Sequence, residues 1–188
     1  RERVRRADFI GRDLVIVLGG DGTLTSISHN IDENTPVMGV NSHPVSEDTN
    51  GSVGFYMDSA LETFAEDFSD ALNGRAIENN LPRLRAIIDS TSGNRYTTDP
   101  AMNELLIANT HQYAPSKYHV RRGENDTTQQ SSGLIFSTWL GQGAWFSHSL
   151  DMQTLEKVRA SVNEGDIDSN YFVLARDLGH HQRKEAPW

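Results

Sequence analysis

Residues 14–23 read Leu-Val-Ile-Val-Leu-Gly-Gly-Asp-Gly-Thr, and no other stretch restricts the fold so tightly. A run of β-branched and aliphatic residues breaks into three glycines around one acid. A continuous apolar run predicts a strand in a parallel sheet, buried on both faces. A strand that ends in glycines and passes into a helix opens a pocket at its carboxyl end, where open α/β sheets place ligands. Gly19, Gly20 and Gly22 let backbone amides approach phosphate oxygens closely. Asp21 stands among them, and an acid there repels a phosphate unless it takes a proton or meets a metal. Thr23 adds a hydroxyl.

The flanking residues extend this into a βαβ unit. Asp13 to Leu18 is the first strand. Leu24, Ile27 and Ile31 recur at helical spacing, with Thr23 or Thr25 as the cap. Pro36 to Asn41 is the next strand, and Asn41 at its end is a pocket candidate or the head of an Asx-turn. From Asp58 a helix is expected, with Ser59 and Glu62 as a capping box. Its apolar stripe is Leu61, Phe64, Ala65, Phe68, Ala71 and Leu72, and Gly74 is its stop.

Past residue 80 short strand-like runs follow one another: Leu84 to Asp89, Arg95 to Thr97, Glu104 to Ala108, Lys117 to Arg121, Leu134 to Thr138 and Tyr171 to Ala175. Their spacing predicts an antiparallel, β-rich domain. One helix, Gln153 to Asn163, interrupts it, and Gly179 to Trp188 reads as a frayed tail. The expected organisation is an α/β domain over 1–80 with a parallel sheet, then a β-rich, sandwich-like domain over 81–188.

Composition narrows the function. The 188 residues carry a net charge of −9, which argues against nucleic acid or an anionic membrane as partner. No apolar run approaches the roughly 20 residues that span a bilayer, and the start, Arg1 to Arg6, lacks the apolar core of a signal peptide. With no cysteine, disulfides and thiol nucleophiles are excluded. The glycine loop is followed by no Gly-Lys-Ser/Thr, so it is not a Walker loop, nor does it match the dinucleotide Gly-x-Gly-x-x-Gly pattern.

Gly19-Gly20-Asp21-Gly22-Thr23 resembles the signature of the NAD kinase family, shared more loosely with diacylglycerol and sphingosine kinases and with phosphofructokinases. Further blocks agree in order. Gly39-Val40-Asn41 with Gly51-x-Val53-Gly54-Phe55 is similar to the family's Gly-Ile/Val-Asn-x-Gly-x-Leu-Gly-Phe, with a longer loop inserted. Asn103-Glu104 before Leu105-Leu106-Ile107 resembles its Asn-Glu pair. Ser132-Gly133 through Ser137-Thr138, Gly141 and Ala144-Trp145 resembles its Asp-Gly-x-x-x-Ser-Thr-x-x-Gly-x-x-Ala-Tyr block. Tyr171-Phe172-Val173 with Arg176-Asp177 is a weaker likeness to a Phe-x-x-Arg-Glu element. The Gly-Thr-Gly-Asn-Asp stretch of lipid kinases is missing. Ser132 replaces the usual Asp and Trp145 the usual Tyr, a version similar to the branch that includes mitochondrial NAD kinases. Leu140, Gln142 and Gly143 replace small hydroxyl residues.

The resemblance implies an NAD kinase/diacylglycerol kinase-like fold and ATP-dependent phosphorylation of the adenosine 2′-hydroxyl of NAD. The site would lie between the domains, with Mg²⁺ arriving on ATP rather than in a protein cage. Asp21 would accept the hydroxyl proton; Gly19, Gly20, Gly22 and Thr23 would meet phosphates. Asn103 and Glu104 would recognise ribose and adenine, unless they only start a strand. Ser132, Thr138, Ala144 and Trp145 would line the dinucleotide pocket, with core packing as the alternative for Ala144 and Trp145. It also implies a homodimer or tetramer, a cytoplasmic or mitochondrial location, and a family domain longer than this chain. A lipid or sugar kinase, or a weakly active dinucleotide-binding paralogue, are the alternatives. His43, Glu47, Asp48 and His180-His181 read as solvated, whereas Arg121 and Arg122 suit a phosphate and a solvated strand edge equally well.

Overall fold

The computed structural model describes residues 4–47, 50–111, 113–148, 156 and 173–178. The chain divides into two compact units, one formed by residues up to Leu81 with Thr98–Ala101, the other by Pro82–Thr97 with residues from Met102 onward. Among the described residues no helix is long and apolar enough to cross a membrane.

In the first unit β1 (Val15–Gly19) lies parallel to β2 (Val37–Asn41), which in turn is parallel to β3 (Ser59–Ala60). α1 (Asp21–Ser28) follows β1 directly. Phe9, Val17, Leu24, Ile31, Met38 and Val40 are buried and form the core. β1 is parallel as expected, yet Ile16 and Leu18 remain exposed. Ile16 and Leu18 share one face of this edge strand, and burial falls on the opposite face, at Val17.

Two expected helix starts move. α1 begins at Asp21 with Gly20 as its N-cap, so Thr23 and Thr25 lie inside it rather than capping it; the Thr25 hydroxyl donates back to Asp21 O at 3.0 Å. The second helix, α2, spans Phe64–Leu72, not a stretch from Asp58. The Ser59–Glu62 box does not form because the sheet claims its residues. Asp58 N donates to Gly39 O at 3.0 Å, Asp58 Oδ2 accepts from Gly39 N at 3.1 Å, and Ser59 and Ala60 pair with Val40 and Asn41. Phe64 and Phe68 stack at 5.5 Å, while Leu61 and Leu72 stay exposed. Gly74 does end the helix. Its φ of +66° lets its amide reach Ala71 O and the Arg75 amide reach Asp70 O, the paired bonds of a Schellman stop.

Every described strand pair of the second unit is antiparallel. β4 (Ile87–Asp89) pairs with β5 (Arg95–Thr97), and β7 (Ser116–Arg122) with β8 (Asn125–Ser131). β9 (Gly133–Thr138) lies between β6 (Glu104–Ile107) and β10 (Val173–Leu178). Ile135 is fully buried, and Leu134, Met102 and Phe146 are buried as well. β8 is absent from the sequence reading because Asn-Asp-Thr-Thr-Gln-Gln-Ser carries no apolar alternation. β4 is shorter than the run from Leu84, and β10 extends past Ala175 to Leu178, while Tyr171 and Phe172 lie outside the described residues. The helix expected over 153–163, the tail, Asp48 and His180-His181 lie outside the described residues, Glu156 apart.

Candidate functional site

The first cluster forms where β1 and β2 end. Asp21 opens α1, and its carboxylate reaches the segment 31–35 residues further along. Oδ2 accepts from Gly54 N at 2.9 Å, Phe55 N at 3.0 Å and Ser52 Oγ at 3.2 Å; Oδ1 accepts from Tyr56 N at 2.8 Å. Three successive backbone amides converging on one anion make a nest. The Asp21 amide donates to Ser52 Oγ at 3.1 Å, so Ser52 meets both the backbone and the side chain of Asp21.

Local sequence explains why the two segments approach. A Cβ on Gly20 would sit 2.5 Å from Ser52 Cβ, so only glycine admits the serine there. Gly54 adopts φ +73°, and a Cβ on it would lie 2.5 Å from Asn41 Nδ2. Asn41 is buried; its Oδ1 accepts from His43 N at 3.2 Å and its Nδ2 donates to Ser52 O at 3.0 Å. It therefore makes the Asx-turn and also braces the segment that holds Asp21. Gly22 and Thr23 are exposed on the first turn of α1, and Gly19 O accepts from Ser42 N at 2.9 Å.

The second cluster gathers the ends of β6 and β9. Thr138 is buried, and its hydroxyl donates to Met102 O at 2.6 Å while accepting from Gly141 N at 2.9 Å. Asn103 O accepts from Thr138 N at 3.0 Å and from Ser137 Oγ at 3.3 Å. Glu104 Oε1 accepts from Phe146 N at 3.1 Å, across 42 residues, at the start of the short helix α3 (Trp145–His148). Partial burial raises the Glu104 carboxyl above its ordinary value, against the pull of the Phe146 and Trp145 amides. Ala144 is half-buried and donates from its amide to Gly141 O at 3.0 Å.

The aromatic pair there divides its work. Phe146 is 2% exposed and fills the core, whereas Trp145 is 51% exposed. The core-packing alternative therefore describes Phe146 and not the indole of Trp145. Ser132 is exposed at the turn between β8 and β9; its neighbour Ser131 is buried, bonded to Tyr118 Oη at 2.8 Å and to Gly133. Asn41, Asp21 and the glycines thus gather in the first unit, and Asn103, Glu104, Thr138, Ala144 and Trp145 in the second. Ser52 escaped the sequence reading: it occupies the unassigned position of Gly51-x-Val53-Gly54-Phe55, and no composition signal marks it.

Comparison with known proteins points to one family. Residues 1–76 match the ATP-NAD kinase N-terminal domain. The chain is 38% identical over 88 residues to an NADH kinase of Arabidopsis thaliana, covering 42% of this chain and 28% of that one. It is 30% identical over 142 residues to an NAD kinase of Delftia acidovorans, covering 73% and 45%. The crystal structure of yeast NADH kinase complexed with NADH superposes with a TM-score of 0.65 at 16% identity, covering 94% of this chain and 47% of that one. The chain spans less than half the length of each of these proteins. A shared fold, a matching N-terminal domain and relatives of one kind place this chain in the NAD kinase family.

Proposed function

We propose that this chain phosphorylates the adenosine 2′-hydroxyl of NAD, or of NADH, with ATP as donor. The observation that carries the reading is Asp21, an acid at the carboxyl end of β1 in a domain of the ATP-NAD kinase kind, held by loop amides with oxygen Oδ1 accepting one bond. In the reaction the 2′-oxygen attacks the γ-phosphorus and a new O–P bond forms. The bond from that phosphorus to the β–γ bridging oxygen breaks, ADP leaves, and the hydroxyl proton passes to Asp21. Phosphoryl transfer of this type depends on alignment and charge neutralisation more than on a strong base, which suits a carboxylate.

Gly19, Gly20, Gly22 and Thr23 meet the phosphates in this reading, and Asn103, Glu104, Ser132, Thr138, Ala144 and Trp145 serve the dinucleotide. The half-exposed indole of Trp145 offers a face to a ring. Among the described residues no three His, Cys, Asp or Glu side chains gather into a metal cage. Mg²⁺ would arrive on the ATP and would supply charge neutralisation at the transferred group. The same reading includes a homodimer or tetramer and a cytoplasmic or mitochondrial location.

NADH as acceptor is the second reading, favoured by the relatives named NADH kinase. The comparisons do not favour a lipid or sugar acceptor. The test incubates the protein with ATP, Mg²⁺ and either NAD or NADH, and follows 2′-phosphorylated product for wild type and Asp21→Asn. A fall of product formation to a low residual rate is expected in the variant. Equal turnover by both would remove Asp21 from the chemistry, and binding of NAD with no product would favour the weakly active paralogue.

A further inference from the structure

The four hydrogen bonds to Asp21 are unevenly shared. Oδ2 accepts three, from Gly54 N, Phe55 N and Ser52 Oγ, whereas among the described residues Oδ1 accepts only from Tyr56 N. A carboxylate oxygen has two lone pairs, so Oδ2 is saturated and Oδ1 keeps one acceptor direction. Ser52 enforces the difference. Its oxygen accepts from Asp21 N at 3.1 Å and takes the longer branch, 3.3 Å, of the Gly54 N–H that it shares with Oδ2, so both lone pairs face donors. Its single proton is then directed to Oδ2, 3.2 Å away.

We infer that Ser52 is a positioning residue, which anchors Asp21 through Oδ2 so that Oδ1 is the oxygen that receives the acceptor's proton. The inference rests on the proposed function for the identity of the acceptor, but the anchoring is a property of the protein alone. The loop and the helix turn form one unit: Gly20 admits the serine, Asn41 Nδ2 holds its carbonyl, and the left-handed Gly54 turns its amide toward the carboxylate. Without the hydroxyl, the side chain of Asp21 keeps its amide bonds but loses the contact that ties it to its own backbone. A misplacement of about 1 Å in a reacting group costs up to roughly 100-fold in rate.

The test has a kinetic and a spectroscopic arm. In the kinetic arm Ser52→Ala lowers kcat by about 10- to 100-fold with the KM values for NAD and ATP unchanged, and Ser52→Thr, which keeps a hydroxyl, recovers most of the loss. In an Asp21→Asn background the further change Ser52→Ala alters kcat by less than about twofold, because a residue that acts through another has no effect once that partner is gone. Wild-type kcat in Ser52→Ala, a rise confined to KM, or additive losses in the double variant would each overturn the inference.

In the spectroscopic arm, amide hydrogen exchange at Gly54, Phe55 and Tyr56 speeds up in Asp21→Ala and, at Gly54 and Phe55, in Ser52→Ala. Unchanged exchange in both variants overturns the anchoring whatever the substrate is. Should wild type phosphorylate neither NAD nor NADH, the proposed function fails. The exchange arm then decides the anchoring by itself.

Discussion

The side-chain amide of Asn41 donates to Ser52 O at 3.0 Å, and this bond joins the last residue of β2 to the segment whose amides grip Asp21. The sheet thereby sets the position of the loop, and the loop sets the position of the acid. Asn41→Ala deletes this bond and the one from His43 N, each worth roughly 0.5–1.5 kcal/mol. A lower urea midpoint for unfolding is expected, and an unchanged midpoint would contradict the bracing role.

Gly54 and Gly93 both have positive φ, +73° and +85°, but only Gly54 has a neighbour where a Cβ would go. Alanine at either site pays about 1–2 kcal/mol for the left-handed backbone. Gly54→Ala must also push the Asn41 amide aside, 2.5 Å from the new carbon. Chemical denaturation of the two variants is expected to rank Gly54→Ala as clearly less stable. Equal losses would mean that the Asn41 contact costs nothing.

Thr138→Val replaces a buried hydroxyl by a methyl of similar shape and strands Met102 O and Gly141 N. A loss of about 1–3 kcal/mol is expected from the desolvated groups left behind. Thr138→Ser keeps the hydroxyl and should retain most of the stability in the same thermal melt. If valine were tolerated as well as serine, these bonds would not hold β9 to the segment before β6.

Glu104 supplies a pH signature. Burial raises its carboxyl above the ordinary value of 4.5, so the fold favours the neutral form. Stability from that preference is fully present below the ordinary value and is lost as pH rises through the raised one. Glu104→Gln, uncharged at every pH, is therefore expected to melt above wild type at pH 7, with the gap narrowing toward pH 4. A gap that widened on acidification would reverse the assigned sign.

Much of the candidate site was legible because its chemistry is local. Val15 to Leu18 must be a strand, glycines must end it, and an acid beside them must be explained by a neighbour. The second cluster was legible by likeness more than by pattern, since Thr138 and Glu104 look unremarkable in isolation. The misses have one cause. Ser59 and Glu62 spell a capping box, but the pairing of Ser59 with Val40 competes for the same backbone and wins. Asn125 to Ser131 has no period of its own and becomes a strand only beside Ser116 to Arg122.

The amino-acid sequence by itself determined the strand–glycine–helix unit, the antiparallel character beyond residue 80 and the place of Asp21 at the end of the first strand, because each rests on backbone propensity and short-range spacing. Only the tertiary structure decided what surrounds that acid. Gly54, Phe55 and Tyr56 are 33 to 35 residues away along the chain, and Ser52 is 31. No local pattern predicts that their donors meet one carboxylate. The meeting follows from β2 lying parallel to β1 and ending in Asn41, which carries Ser52 to the turn where Asp21 begins α1.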